Sequence, residues 1–287
     1  MTLRNVRLSR TSAMHYMKLI FRSALFLLLL VVYLYDRIHV QNGALINDFL
    51  GRPVLMGIVW LVFALEMVLR FFPSNVESMG CQKQFAKNYI AAENPAPLPD
   101  DRFAVLLVAF AWLVLNGIFG LLYHFQIIDT GILLLISLAY SVCDMICILF
   151  FCPFETWFLH NKCCGTCRIY NWDYAMMFTP LFFIPSWFSL SLFALGLALL
   201  IEWEVIHWRH PERFYEATNQ CLTCANCKEK LCTHKKALHK LWLRQREQLA
   251  ALEEKLPAAI NRLEEKIPEQ IGLLEEKLYE GKKRKEQ

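Results

Sequence analysis

Residues 176–206 read MMFTPLFFIPSWFSLSLFALGLALLIEWEVI, an apolar stretch interrupted by Pro180 and Pro185. A helix needs about 20 apolar residues to cross the hydrocarbon core of a bilayer, so the stretch is long enough to cross once. Each proline, however, removes a backbone donor and bends or ends a helix. Residues 176–185 alone would make a helix ~15 Å long, too short to cross. Irregular backbone is tolerated at membrane depth where neighbouring protein satisfies it. Two layouts are therefore open. If 176–206 crosses once, the tail lies on the far side; if it dips in and returns, the tail lies on the near side.

Working outward, four more apolar runs precede it: Leu19–Tyr35, Pro53–Phe72, Phe103–Tyr123 and Gly131–Phe151. The 287-residue chain is 56% hydrophobic and 14% aromatic, above what a soluble domain carries. Its mean hydropathy is +0.33. The first run has no small-residue cleavage site after it and is not a signal peptide. The expected fold is all-α: a polytopic helical membrane protein of four to six membrane segments, the last broken at Pro180 and Pro185.

Loop charge sets the expected orientation, because short loops rich in Lys and Arg stay cytoplasmic. Residues 1–18 form a basic arm with Arg4, Arg7, Arg10 and Lys18, and Arg22 follows at the start of the first run, which places the N-terminus inside. The connection 73–102, with Lys83, Lys87 and Arg102, reads inside. The turn 124–130 has no Lys or Arg and reads outside. The loop 152–175, with Lys162 and Arg168, reads inside. The segment after residue 206 opens with His207, Arg209, His210 and Arg213, which favours a cytoplasmic C-terminus and the re-entrant layout.

Eight of the eleven cysteines fall in two clusters flanking the broken segment: Cys152, Cys163, Cys164 and Cys167, then Cys221, Cys224, Cys227 and Cys232. Pairs at x2 spacing put two thiolates on one tight turn, as Zn²⁺ or an iron–sulfur cluster requires. Clustered cysteines facing the cytosol are metal ligands or redox thiols more often than disulfides. Cys164 and Cys167 are expected to join two of Cys221, Cys224, Cys227 and Cys232 in a four-thiolate structural Zn²⁺ clamp that ties both ends of the re-entrant element. The alternative is an iron–sulfur cluster, since Cys221, Cys224 and Cys227 follow the C-x2-C-x2-C spacing. The last spacing, x4, and Thr233 in place of Pro depart from that pattern. Cys81, Cys143 and Cys147 read as small apolar packers.

Ionisable side chains inside membrane segments are costly and point to function by default. Glu66 and Asp144 lie at similar depths in their segments, and Asn116 sits midway along the third. Together they are a candidate ion or proton site. The competing expectation is local pairing, with Glu66 on Arg70 at i+4. Glu202 and Glu204 flank Trp203 and Trp208 at an expected membrane interface.

Residues 235–287 carry a repeat: LEEKLP at 252–257, LEEKIP at 263–268 and LEEKLY at 274–279. A period of 11 keeps one apolar stripe facing a partner with slight right-handed supercoiling. Pro257 and Pro268 fall at the same phase. The expected tail is an amphipathic helix supporting homo-oligomers, following the Cys-rich segment 207–234. No phosphate loop, zinc-protease motif or nucleophile elbow is present. The expectation is thus a non-enzymatic scaffold, channel-like or transport-related protein of the lipid bilayer. A membrane redox protein, using a cluster or CxxC thiols, is the alternative. Nucleic acid is not expected as a partner.

Overall fold

The computed structural model describes residues 9–40, 53–159, 161 and 163–227, with the side chains of 40, 55 and 155 excepted. The chain divides into the units Met1–Lys235 and Lys236–Gln287. The repeat with Pro257 and Pro268, Cys232 and residues 1–8 of the basic arm lie outside the described residues.

The described residues are mostly helical and contain no strand; Ala91 and Asn219 form an isolated antiparallel bridge. Helix α1 spans Arg10–Tyr35 and is capped by the Ser9 hydroxyl, which accepts from the Ser12 amide. A π-turn, Asp36–Val40, extends it. Helix α2 spans Pro53–Arg70, with proline at the first position, where its missing N–H costs nothing. Helices α3, Arg102–His124, and α4, Thr130–Leu149, follow one another across the turn 125–129. Asp129 starts α4 by accepting from the Ile132 amide at 2.9 Å.

Helix α5 is only Asp173–Phe178. It tightens into a 3₁₀ turn, Thr179–Phe183, with Pro180 in its first positions. Pro185 disfavours helical geometry at the preceding residue, and Ile184 is extended at φ −97°, ψ 111°. The chain then reverses into helix α6, Trp187–Arg209. Backbone carbonyls near the break find side-chain donors: Ser137 donates to the Met177 carbonyl at 2.8 Å, and Thr179 to the Ala175 carbonyl at 2.7 Å. This is how broken helices are tolerated away from water.

Among the described residues four helices are long and apolar enough to cross a bilayer: Arg10–His39, Arg102–His124, Thr130–Leu149 and Trp187–Arg209. Their outward faces carry exposed Leu27, Leu28, Val31, Phe110, Leu113 and Ile201, an apolar belt suited to lipid. Trp187 and Trp208, both about four-fifths exposed, stand roughly 32 Å apart along α6 at 1.5 Å per residue. That matches the hydrocarbon thickness, and Trp favours its two interfaces. Trp203, by contrast, is fully buried and donates to the Arg168 carbonyl at 2.9 Å; the interfacial expectation fits only Trp208 of that pair.

Inside, α1 packs on α4, α2 on α6, and α5 with its 3₁₀ continuation lies against both α4 and α6. A central core gathers Phe63, Met67, Leu133, Tyr174, Phe178 and Leu199. A second, toward the Cys loops, gathers Cys81, Met145, Leu149, Tyr170, Trp203 and Phe214. Contacts join the connection 73–101 to the segment after α6 at one end of the bundle: Ala92 bonds Thr218 backbone to backbone, Arg213 donates to the Gln84 carbonyl at 3.1 Å, and Tyr215 donates to Asp101 at 2.9 Å. At the opposite end Arg37 pairs with Asp129. Asp173–Phe183 therefore enters from the Cys-loop end, and α6 returns to that end.

Candidate functional site

Arg22 projects from α1 into the bundle and is 1% exposed. Its guanidinium spans two helices. Nη2 lies 2.9 Å from Glu66 Oε2 on α2, and Nη1 lies 2.9 Å from Asp144 Oδ2 on α4. Nη1 also donates to the Ser141 carbonyl at 3.2 Å. The Tyr174 hydroxyl on α5 donates to Glu66 Oε2 at 2.7 Å. A guanidinium fork can serve two carboxylates at once where an ammonium serves one direction. The two predicted carboxylates are thus brought together, with a cation from the protein between them.

A second lock lies beside the first. Arg70 donates to Asn171 at 3.0 Å and to Asp173 at 2.8 Å, its guanidinium 4.5 Å from the centre of the Tyr174 ring. The Arg70 partner is therefore Asp173 on the broken element, not Glu66 on its own helix. Tyr174 touches both locks. At the end of the bundle Lys18 approaches Glu66 at 3.8 Å and Glu77 at 3.7 Å. Three cations thus meet four carboxylates. His15, one turn before Lys18, is 4% exposed, and neither ring nitrogen has a hydrogen-bond partner.

Asn116 stands apart. It is buried and donates back to the Trp112 carbonyl at 3.0 Å, while its Oδ1 has no hydrogen-bond partner. It does not join Glu66 and Asp144.

The cysteines sort differently from their sequence clusters. Cys143, Cys147, Cys152, Cys164 and Cys167 line one cavity of about 370 Å³. Cys164 directs its thiol to the carbonyls of Cys147 at 3.6 Å and Ile148 at 3.9 Å. Asp144 and Asp173, each held by an arginine, reach the same cavity.

The first Cys turn is held from below by Lys83, whose ammonium is fully buried. It donates to the Cys167 carbonyl at 2.7 Å and the Gly165 carbonyl at 3.3 Å, beneath the Trp203 and Phe214 rings. Burial pushes this ammonium down to about 8. Arg168 and Trp172 both bind Glu204 of α6, at 2.9 and 2.7 Å.

Cys221 sits in the 3₁₀ turn Gln220–Leu222, its amide capped by Asn219 Oδ1 at 3.1 Å. Cys224 is exposed. A cleft of about 520 Å³ is lined by Thr166 of the first Cys turn and Thr223 of the second. Among the described residues no three His, Cys, Asp or Glu side chains converge to hold a metal ion; Cys232 lies outside them.

Sequence reasoning missed Arg22. A signal for it was available: one arginine three residues into an apolar run, with two carboxylates at matching depth. The chain matches no protein-family model, and no curated protein or solved structure is similar to it.

Proposed function

We propose that the chain is a non-enzymatic, transport-related integral membrane protein whose broken element is latched by buried arginine–carboxylate pairs. The observation that carries it is Arg22 bridging Glu66 and Asp144 beside a discontinuous helix. Buried membrane charges mark ion and proton pathways, and discontinuous helices form the sites of many transporters. Asp173, on the element itself, is held by Arg70, so displacing either arginine frees a carboxylate. Loop charges orient the Cys-loop end, with both termini, to the cytoplasm. The 11-residue repeat supplies the oligomer contact.

The test is flux. The purified chain is reconstituted in vesicles and assayed for proton and cation movement with entrapped dyes. The expected result is flux above protein-free vesicles, lost when Glu66→Gln and Asp144→Asn are combined. Flux unchanged in that double variant overturns the proposal, as does a wild-type chain that moves nothing.

A second reading concerns the Cys turns. A structural Zn²⁺ held by Cys164 and Cys167 with two of Cys221, Cys224, Cys227 and Cys232 would clamp the loops at both ends of the broken element. The shared cleft between Thr166 and Thr223 favours it. Metal analysis of the purified chain decides: zinc lost in Cys221→Ser/Cys224→Ser supports the clamp, and a brown preparation with visible absorbance replaces it with the iron–sulfur alternative.

A further inference from the structure

Helix α3 stands off α4, its neighbour in sequence, and rests instead on the turns Phe154–Leu159 and Thr179–Phe183. The space between the two helices is the cavity of about 370 Å³. Its wall is largely apolar, and among the described residues Asp144 and Asp173 are the only charged side chains on it. Each carboxylate is held from behind. Arg22 reaches Asp144 at 2.9 Å and Arg70 reaches Asp173 at 2.7 Å, yet neither arginine lines the cavity. Both ion pairs thus turn their negative ends to it. The last turn of α4, at Cys147 and Ile148, adds the negative end of a helix dipole to the same wall. Opposite stand aromatic rings. Trp112 and Tyr140 meet with ring centres 4.7 Å apart, and Trp112 is fixed by donating to Thr179 at 3.2 Å. The Tyr140 hydroxyl oxygen is buried and has no hydrogen-bond partner. Phe154 and Tyr170 extend the aromatic lining.

We infer that this cavity binds a lipophilic organic monocation, an alkylated ammonium carried on an aromatic or alkyl body. The ion-paired cluster behind the wall joins Lys18, Arg22 and Arg70 to Glu66, Glu77, Asp144 and Asp173. With all seven ionised, one negative charge is left over. Arg168 is paired with Glu204, and Lys83 is bound to the Gly165 and Cys167 carbonyls, so neither supplies the missing ion pair. A hard metal cation would need a shell of oxygen ligands to replace its water, which two arginine-held carboxylates do not provide. An alkylated ammonium needs only a negative, aromatic wall, since aromatic faces attract such cations electrostatically. The volume fits too, because small-molecule pockets run from roughly 300 to 1,000 Å³. An organic cation as transported cargo rests on the transport function proposed above; its binding does not.

The test uses the full chain in detergent, with benzyltrimethylammonium as the probe and neopentylbenzene, its uncharged carbon isostere, as the control. The expected result in equilibrium dialysis is saturable binding of the probe that the isostere does not displace. Asp144→Asn leaves Arg22 paired with Glu66 and should weaken binding roughly tenfold, as should Trp112→Leu. A second measurement needs no variant. Cys143 is exposed on the cavity wall, so bound probe should slow its alkylation by N-ethylmaleimide while Cys224 reacts as before, mapped by mass spectrometry. Equal competition by neopentylbenzene would make the cavity merely apolar and overturn the site. So would the absence of saturable binding, full affinity in both variants, or unchanged Cys143 alkylation at saturating probe. Probe bound by a chain whose vesicles move nothing would end the transport reading and leave the site. Vesicles that move protons while no probe binds would end the site and leave the transport reading.

Discussion

Arg22 and Asp144 are 122 positions apart in the chain and meet at 2.9 Å across the α1–α4 interface. The same guanidinium holds Glu66 at 2.9 Å. Removing one partner of a buried pair leaves an uncompensated charge and costs about 3–5 kcal/mol. Arg22→Leu is expected to lower the thermal midpoint in detergent sharply, since it strands two carboxylates. Adding Glu66→Gln and Asp144→Asn to it should recover most of the loss. A triple variant no more stable than Arg22→Leu would show that the pairs do not act as a unit.

Four of the apolar helices were legible because length and apolarity are written locally; the run Pro53–Phe72 forms a helix but is not among the four candidate spans. The break at Pro180 and Pro185 was legible because proline acts on its own backbone. Partner choice was not local. Arg22 looked like one more basic residue at the cytoplasmic end, and only the packing of α1 on α4 puts it between carboxylates. The shared cavity of Cys147 and Cys164, 17 positions apart, was hidden for the same reason.

Both Cys turns, the connection 73–101 and the start of α1 share one end of the bundle; Thr11 donates to the Val76 carbonyl there at 3.4 Å. Residues 125–129 lie at the other end, tied to α1 through Arg37 and Tyr33. In sealed cells carrying Ile127→Cys, a membrane-impermeant maleimide should reach position 127 from one side and Cys224 only from the other. Both residues are exposed. Modification of both from the same side, mapped by mass spectrometry, would rule out the hairpin return of α6.

Cys81 is fully buried, and burial pushes its thiol up from 9.0 to about 12. The thiolate is the reactive form, so Cys81 should stay unalkylated at pH 8.5 in the folded chain while exposed Cys224 reacts. The linkage has a definite sign. Between about 9 and 12 the unfolded chain releases a proton that the folded chain keeps, so stability falls as pH rises through that window. Cys81→Ala should lower stability by its cavity yet flatten that slope; an unchanged slope assigns the loss to other groups.

Gly196 faces the broken element across a close contact. A Cβ there would lie 3.0 Å from the Tyr174 carbonyl oxygen and 3.2 Å from the Ala175 amide nitrogen, both backbone atoms that cannot rotate away. Gly57 and Gly117 have open space at the same position. Alanine is favoured over glycine in a helix by about 1 kcal/mol, so Gly57→Ala and Gly117→Ala should be neutral or stabilising. Gly196→Ala gains the same propensity but must push α5 aside, and overpacking costs about 1–3 kcal/mol. The displacement would carry Tyr174 with it, and its hydroxyl has only 2.7 Å to Glu66 to lose. Gly196→Ala and Tyr174→Phe should therefore be less than additive in a double-mutant cycle, because the first already weakens the bond that the second deletes. Strict additivity would mean that α5 yields without moving Tyr174, and that the α5–α6 contact and the Arg22 lock are separate devices.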